Sequence, residues 1–291
     1  LKAQSLRPDE WDLVIVNNGS TTPNTASLLQ ESIEWHPTGR VVEEPELGLT
    51  QARLRLFKEN ENPLVVMVDD DNVLDSEYLS NAVEIAKGDT HLGAYGGKTE
   101  ALYLTNPPPW IREFEKLLAV RDLGDEVIIS QTFNAATKVL EYPEESPIGA
   151  GMILRSDAAQ AYVDFMEKEE NSYISDRRGE ELASSGDNEI VLCLLKAGWK
   201  VAYQPQLTLR HIIPSERLER AYLSRLARQM HRSWMAVLEK HGVKRPRKIP
   251  SPLLLPLKIR SYIRLRAWTS DTKYIQWSSQ CGQYEGRATF K

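Results

Sequence analysis

The sequence predicts an α/β fold, a mostly parallel sheet with helices on both faces. Three observations carry this. Two short apolar runs, Leu13-Val14-Ile15-Val16 and Leu64-Val65-Val66-Met67-Val68, read as strands buried on both faces. Segments with apolar residues at helical spacing lie between and after them. Each run ends in a polar cluster, Asn17-Asn18-Gly19-Ser20 and Asp69-Asp70-Asp71-Asn72. In open sheets of this class, ligands sit beyond the carboxyl ends of the strands.

Taken in order, residues 12–16 form the first strand, 25–35 a helix and 40–43 a short strand. Residues 48–60 carry Leu49, Ala52, Leu56 and Phe57 at helical spacing. The second apolar strand, 64–68, is followed by a helix over 76–87. Prolines 107–109 force a loop before Trp110, and 111–120 suits a helix. Gly149-Ala150-Gly151 is a turn that runs into Met152-Ile153-Leu154. Residues 187–197 form a helix stopped by Gly198, residues 199–203 and 207–212 two strands, and 216–241 a long helix. Four prolines between 246 and 256 mark a linker or an extended strap. Residues 258–266 alternate basic and apolar side chains with a period near two, which suits an edge strand or a surface-lying segment.

The 291 residues are 41% apolar and 26% charged, which excludes disorder as the main state. This length is near the limit for one core, so the expected organisation is a domain over 1–241 with an extension over 242–291. No run approaches the roughly 18 apolar residues that span a bilayer. Two cysteines exclude a disulfide scaffold and a cysteine-rich zinc site, and point to a reducing, cytoplasmic setting. Charge is unevenly placed. Residues 240–291 hold 12 Lys and Arg against 2 Asp and Glu, leaving 24 against 39 in the first 239. An acidic body excludes broad nucleic-acid binding. The basic tail suits anionic lipid at the inner face of a membrane, or an acidic partner.

Asp69-Asp70-Asp71 is the strongest chemical signal. Three adjacent carboxylates repel one another and are stable together only when solvated or neutralised by a cation. In extended geometry Asp69 and Asp71 face the same way and suit one hard divalent metal. An EF-hand fails, because Leu74 and Ser80 stand where that loop needs Gly and a bidentate Glu. Asp69-x-Asp71-x-Val73 also resembles the nucleophile motif of haloacid-dehalogenase phosphatases, but Val191 stands where their later acidic motif needs Asp. Asp187 opens a helix, either as an N-cap or as a general base beside a substrate hydroxyl. His211 ends a strand and is a candidate ligand, and Arg53 a candidate phosphate contact. Trp110 suits stacking on a sugar or plain packing.

The order and spacing of these pieces resemble a family-2 glycosyltransferase with the GT-A fold, over roughly residues 1–235. The residues that carry the resemblance are Val14-Ile15-Val16-Asn17-Asn18-Gly19-Ser20-Thr21, Gly48-x-x-x-Ala52-Arg53, Val66-Met67-Val68-Asp69-Asp70-Asp71, Gly149-Ala150-Gly151-Met152, Gly186-Asp187-Asn188-Glu189 and His211. The resemblance implies inverting transfer of a sugar from a nucleotide-diphosphate sugar to a hydroxyl of a glycan, polysaccharide or lipid-linked acceptor. It implies Mn²⁺ or Mg²⁺ on Asp71, with Asp69 and His211 as further ligands. Asn18, Arg53, Asp69 and Asp70 would face the nucleotide sugar. Gly149, Ala150, Gly151 and Trp110 would lie on the acceptor side, and Asp187 would be the catalytic base. Loops around 94–110 and 120–145 would select the acceptor.

The family begins with an apolar strand that lies between the strands read here at 13–16 and 64–68. Residues 1–6 resemble the end of the helix that follows it. The expectation is therefore an absent segment of about 30 residues, with the two strands not directly paired. A phosphatase and a non-catalytic sugar-nucleotide-binding relative are the alternatives.

Overall fold

The computed structural model describes residues 1–131, 133–134, 139–168, 185–243 and 246–290. It opens with a small parallel pair, β1 (Val14–Asn17) and β2 (Arg40–Glu43), joined through α1 (Thr25–Ile33). Helix α2 (Leu49–Glu59) follows and leads to β3 (Leu64–Val66). β1 and β3 lie in separate sheets and share no pairing, as expected from the sequence.

The main sheet has six strands. They are β3, β4 (Asn72–Leu74), β5 (Leu92–Tyr103), β6 (Ile128–Ser130), β9 (Ile153–Arg155) and β10 (Lys200–Ile213). A separate pair, β7 (Phe133–Asn134) and β8 (Val139–Leu140), lies outside it. The main order is β3-β9-β5-β10-β4, with β6 sharing β10's outer side with β4. β5 and β10 are parallel, and β9 runs antiparallel between β3 and β5. β3, β5 and β10 thus share one direction, while β4, β6 and β9 run against them, so this sheet is mixed rather than mostly parallel as the sequence predicted.

Helices cover both faces, as the paired apolar strands require. α3 (Tyr78–Gly88) lays Tyr78, Ala82 and Ala86 on Tyr95, Ile153, Ala202 and Leu209. On the other face, α4 (Ser156–Lys168) and α5 (Gly186–Lys196) join α2 in the largest core, around Leu54, Met152, Tyr162, Ile190 and Leu194. A third cluster joins the 3₁₀ segment Pro109–Leu118 to α6 (Arg220–Lys240) through Ile111, Leu118, Leu223 and Leu226.

Several expectations are corrected. Residues 94–103 are not an acceptor loop but most of β5, buried over its first half. Glycines hide that strand from the sequence. A Cβ at Gly97 would collide with the carbonyls of Gln204 and Leu207, where β10 bulges around Pro205. That bulge joins the two predicted strands at 199–203 and 207–212 into one. Within the other expected acceptor segment, 120–145, residues 132 and 135–138 lie outside the described residues. The helix expected over 111–120 is 3₁₀ rather than α and ends at Leu118.

The tail is neither strap nor edge strand. It folds into α7 (Leu254–Leu265) and α8 (Asp271–Ala288). α8 packs along α6 so closely that a Cβ at Gly282 would collide with the Arg228 carbonyl, and Phe290 is buried in the largest core. The period-two pattern failed because Leu254, Ser261 and Leu265, not alternate residues, face inward: tertiary packing selected the 3.6 period. Among the described residues, no helix is long and apolar enough to cross a membrane.

Candidate active site

Two acidic centres meet at one turn. At the end of β3 the backbone amide of Met67 donates to the carbonyl of Met152 (2.9 Å). Three residues before Met152, the amide of Gly149 donates to Asp187 Oδ2 (3.1 Å). The turn 149–152 therefore bridges the strand that leads into Asp69–Asp71 and the helix that opens with Asp187.

Its geometry needs glycine. Gly151 has φ +73°, and a Cβ there would stand 2.6 Å from the Tyr78 hydroxyl. That hydroxyl, buried, donates to the Gly151 carbonyl (2.6 Å). A Cβ at Gly149 would stand 2.8 Å from Arg53 Nη2 and 3.6 Å from Asp187 Oδ2. Arg53, itself buried on α2, is thereby brought beside Asp187. Ala150 is buried in the same turn. Arg121 braces the segment just before the turn, donating to the Ser146 carbonyl and lying over the Tyr203 ring.

Asp187 is not the N-cap. Ser185 holds that position, and Asp187 lies in the first turn of α5. Its Oδ1 accepts from the amide of Asn188 (2.9 Å), so each oxygen has one backbone donor and keeps a lone pair. Asn188 in turn accepts from the Tyr142 hydroxyl (2.8 Å). Burial and the nearby Asp187 charge both push that phenol's pKa up, so it stays a donor.

The Asp69–Asp71 run does not stay extended. Asn72 N–H donates to the Asp69 carbonyl (3.0 Å), which closes a turn and leaves Asp69 and Asp70 exposed. The shared facing of Asp69 and Asp71 expected from an extended chain is therefore absent, because the chain must turn from β3 into β4. Asp71 is placed by the β4–β10 pairing, which sets Asn72 opposite His211. Its Oδ2 lies 3.1 Å from His211 Nε2 and 2.9 Å from Arg217 Nη1. Burial raises the Asp71 pKa, but His211 and Arg217 together outweigh it and hold the carboxyl below its ordinary value.

His211 Nδ1 donates to the Leu118 carbonyl (2.7 Å), and its Nε2 lies 3.1 Å from Arg217 Nη1 and 3.1 Å from Asp71 Oδ2. Anchoring Nδ1 on a carbonyl leaves Nε2 beside a carboxylate, a pair of groups that borderline and hard divalent metals take. Two of the three expected ligands therefore fit a cation. Asp69 is not gathered with them, and no group of three such side chains assembles among the described residues. Arg217 supplies the positive charge in its place. Nothing in the sequence singled out this arginine, one of many on polar segments.

The Asn18 side chain is engaged by the protein's own backbone. Its Nδ2 donates to the carbonyls of Glu44 (3.0 Å) and Glu46 (2.7 Å), and its Oδ1 accepts from Gly48 (2.7 Å). It staples the loop that leads into α2 and Arg53. Trp110 packs edge-on against Phe114, with ring centroids 6.2 Å apart, in the third apolar cluster. That is the packing alternative.

A sequence model described as "Glycosyl transferase family 2" matches residues 1–161. This stretch contains Asn18, Arg53, Asp69–Asp71 and the 149–151 turn, and it ends before Asp187 and His211. No curated protein sequence matches the chain. Among solved structures, a mannosyltransferase from Pyrobaculum calidifontis, in complex with GDP-Man and Mn²⁺, is similar at TM-score 0.53 and 18% identity. The match covers 97% of this chain and 66% of that one. TarS of S. aureus is similar at TM-score 0.49 and 13% identity, covering 98% of this chain and 50% of that one. The chain thus spans from half to just under two thirds of these structures. The likeness to the mannosyltransferase structure matches the GT-A α/β architecture, and the sequence match covers more than half of the chain: it belongs to glycosyl transferase family 2.

Proposed function

We propose that this chain transfers a sugar, a hexose in the first instance, from a nucleoside-diphosphate sugar to an acceptor hydroxyl with inversion. One observation carries the reading. The 149–152 turn ties the Asp69–Asp71 end of β3 to Asp187, so a cation-binding carboxylate and a base-type carboxylate share one support. Family membership displaces the phosphatase alternative. Its missing second Asp is Val191, fully buried inside α5.

In this reading Asp187 accepts the proton of the acceptor hydroxyl as the oxygen attacks the anomeric carbon. The new C–O bond forms as the bond to the diphosphate breaks, and its electron pair leaves with the nucleoside diphosphate. Attack opposite the leaving group inverts the centre. The two backbone N–H donors hold the Asp187 carboxyl oriented until the proton arrives. Asp71 and His211 would hold the divalent ion, Mn²⁺ or Mg²⁺, which neutralises charge on the departing diphosphate. Arg53 and Arg217 supply fixed positive charge nearby. Asp69 and Asp70, exposed on the turn, face the nucleotide. The acceptor is a glycan, polysaccharide or lipid-linked sugar.

Isothermal titration of UDP, GDP and dTDP with and without Mn²⁺ tests this. The expected result is metal-dependent binding of one nucleotide, lost in Asp71→Ala and retained in Asp187→Asn. Asp187→Asn should also lose turnover of the matching nucleotide sugar. Nucleotide binding without any transfer by the wild type would favour the non-catalytic relative.

A further inference from the structure

The C-terminal hairpin carries an apolar stripe that faces outward. Leu255, Ile259 and Ile263 recur every four residues on α7 and are 67%, 52% and 60% exposed. Leu253 precedes the stripe and Trp268 follows it, both at least half exposed. The opposite side of α7 is fixed. Ser261 is buried, Lys258 pairs with Glu285 (2.5 Å), the Lys258 carbonyl accepts from Trp277 Nε1 (3.0 Å), and Tyr262 packs on Trp277. The stripe is therefore held outward by packing on α8.

Arg260 and Arg264 border it, and with Pro256, Ile259 and Ile263 they line a shallow groove. Arg266 follows at the helix end. The only acidic residues after 239 are already engaged, Asp271 by Arg220 and Glu285 by Arg228 and Lys258. Among the described residues, no carboxylate pairs with Arg260, Arg264 or Arg266.

An apolar stripe beside unneutralised arginines, with a tryptophan at its end, fits the boundary between lipid headgroups and acyl chains. A second copy of the chain fits it poorly, because a two-fold contact would set the same arginines against each other. We propose that α7 is a membrane-surface helix for an anionic bilayer. Leu255, Ile259 and Ile263 enter the acyl boundary, and Arg260, Arg264 and Arg266 engage lipid phosphates. This holds whether or not the chain transfers a sugar.

Flotation of the full chain tests it, using vesicles of phosphatidylglycerol mixed with phosphatidylcholine against phosphatidylcholine alone. The wild type should float with the anionic vesicles, less so as salt rises. I259E/I263E should bind at least roughly tenfold more weakly. R260Q/R264Q should lose roughly fivefold per arginine. Tryptophan emission should shift to the blue on anionic vesicles, and Trp268→Phe should remove most of that shift. The Trp268 arm decides even if the double glutamate variant folds poorly. No flotation at low salt, or flotation unchanged in I259E/I263E, overturns the proposal. So does a wild-type dimer in light scattering that I259E/I263E converts to monomer, since a second copy would then cover the stripe.

Discussion

Two clusters in this chain use the same three kinds of group. At the mouth of the site, Asp71 meets His211 and Arg217. Between α5 and α6, Glu189 Oε1 meets Lys240 Nζ and His241 Nε2, both at 3.0 Å. They differ in burial and in what the other imidazole nitrogen meets. The Asp71 and Arg217 side chains each keep 23% of their surface open, whereas those of Glu189 and His241 keep 2% and none. His211 anchors Nδ1 on the Leu118 carbonyl and turns Nε2 to Asp71 and Arg217. His241 points Nε2 at Glu189 and leaves Nδ1 unpartnered beside the Phe165 ring. Solvent reaches the first cluster, so in the proposed function it exchanges its arginine for a metal ion. The second is buried and acts as a clamp between helices. Composition alone does not separate the two clusters; solvent access and the partner of the imidazole Nδ1 do.

The largest test of this contrast is Glu189→Ala. It leaves Lys240 and His241 buried without their carboxylate and should cost about 3–5 kcal/mol, read as a lower denaturation midpoint. Asp71→Ala should leave that midpoint nearly unchanged while abolishing metal-dependent nucleotide binding. Equal losses of stability in both would erase the distinction.

Asp187→Asn should lower turnover by roughly 10²- to 10⁴-fold with nucleotide affinity intact, checked by kinetics alongside titration. Gly151→Ala forces a side chain into a left-handed position against Tyr78. It should destabilise by about 1–3 kcal/mol and slow transfer, because the turn that seats Asp187 shifts.

Arg217→Gln removes the competitor for Asp71. Mn²⁺ affinity without nucleotide should rise roughly fivefold, the worth of about 1 kcal/mol for a part-exposed pair. Unchanged affinity would mean that the arginine and the metal do not share the carboxylate.

The smallest effects are in pH. Burial holds the His241 pKa below its ordinary 6.5 despite Glu189. The unfolded chain therefore binds a proton that the folded chain refuses, and stability should fall as pH drops below about 6.5. Asp71 acts at lower pH. Its carboxyl is held below its ordinary 3.8, so its contribution is present above that value and fades as pH falls through the lower folded value. Arg217→Gln should move this acid loss to higher pH, and His241→Gln should flatten the dependence near 6. Thermal melts across the acid range read both.

The sequence by itself determined the class of fold, the β1–α1–β2–α2–β3 run, and the candidate carboxylates Asp71 and Asp187. Those signals are local: an apolar run, a helical period, acids at a strand end. It also placed Gly149 and Gly151 in a turn, since glycine there is a backbone requirement. β5 escaped notice because Gly93, Gly96 and Gly97 lower its strand signal, and their reason is the close approach of Trp199, Pro147 and the β10 bulge. The helical form of α7 escaped because alternating basic and apolar residues satisfy a two-residue period until packing on α8 selects another. Only tertiary structure decided which groups share a carboxylate. Arg217 reaches Asp71 across 146 residues of chain through the β4–β10 pairing, and Asn18 staples the loop that leads into α2. Partners so distant in sequence leave no spacing to read, and burial, which separates the Asp71 cluster from the Glu189 cluster, exists only once the chain has folded.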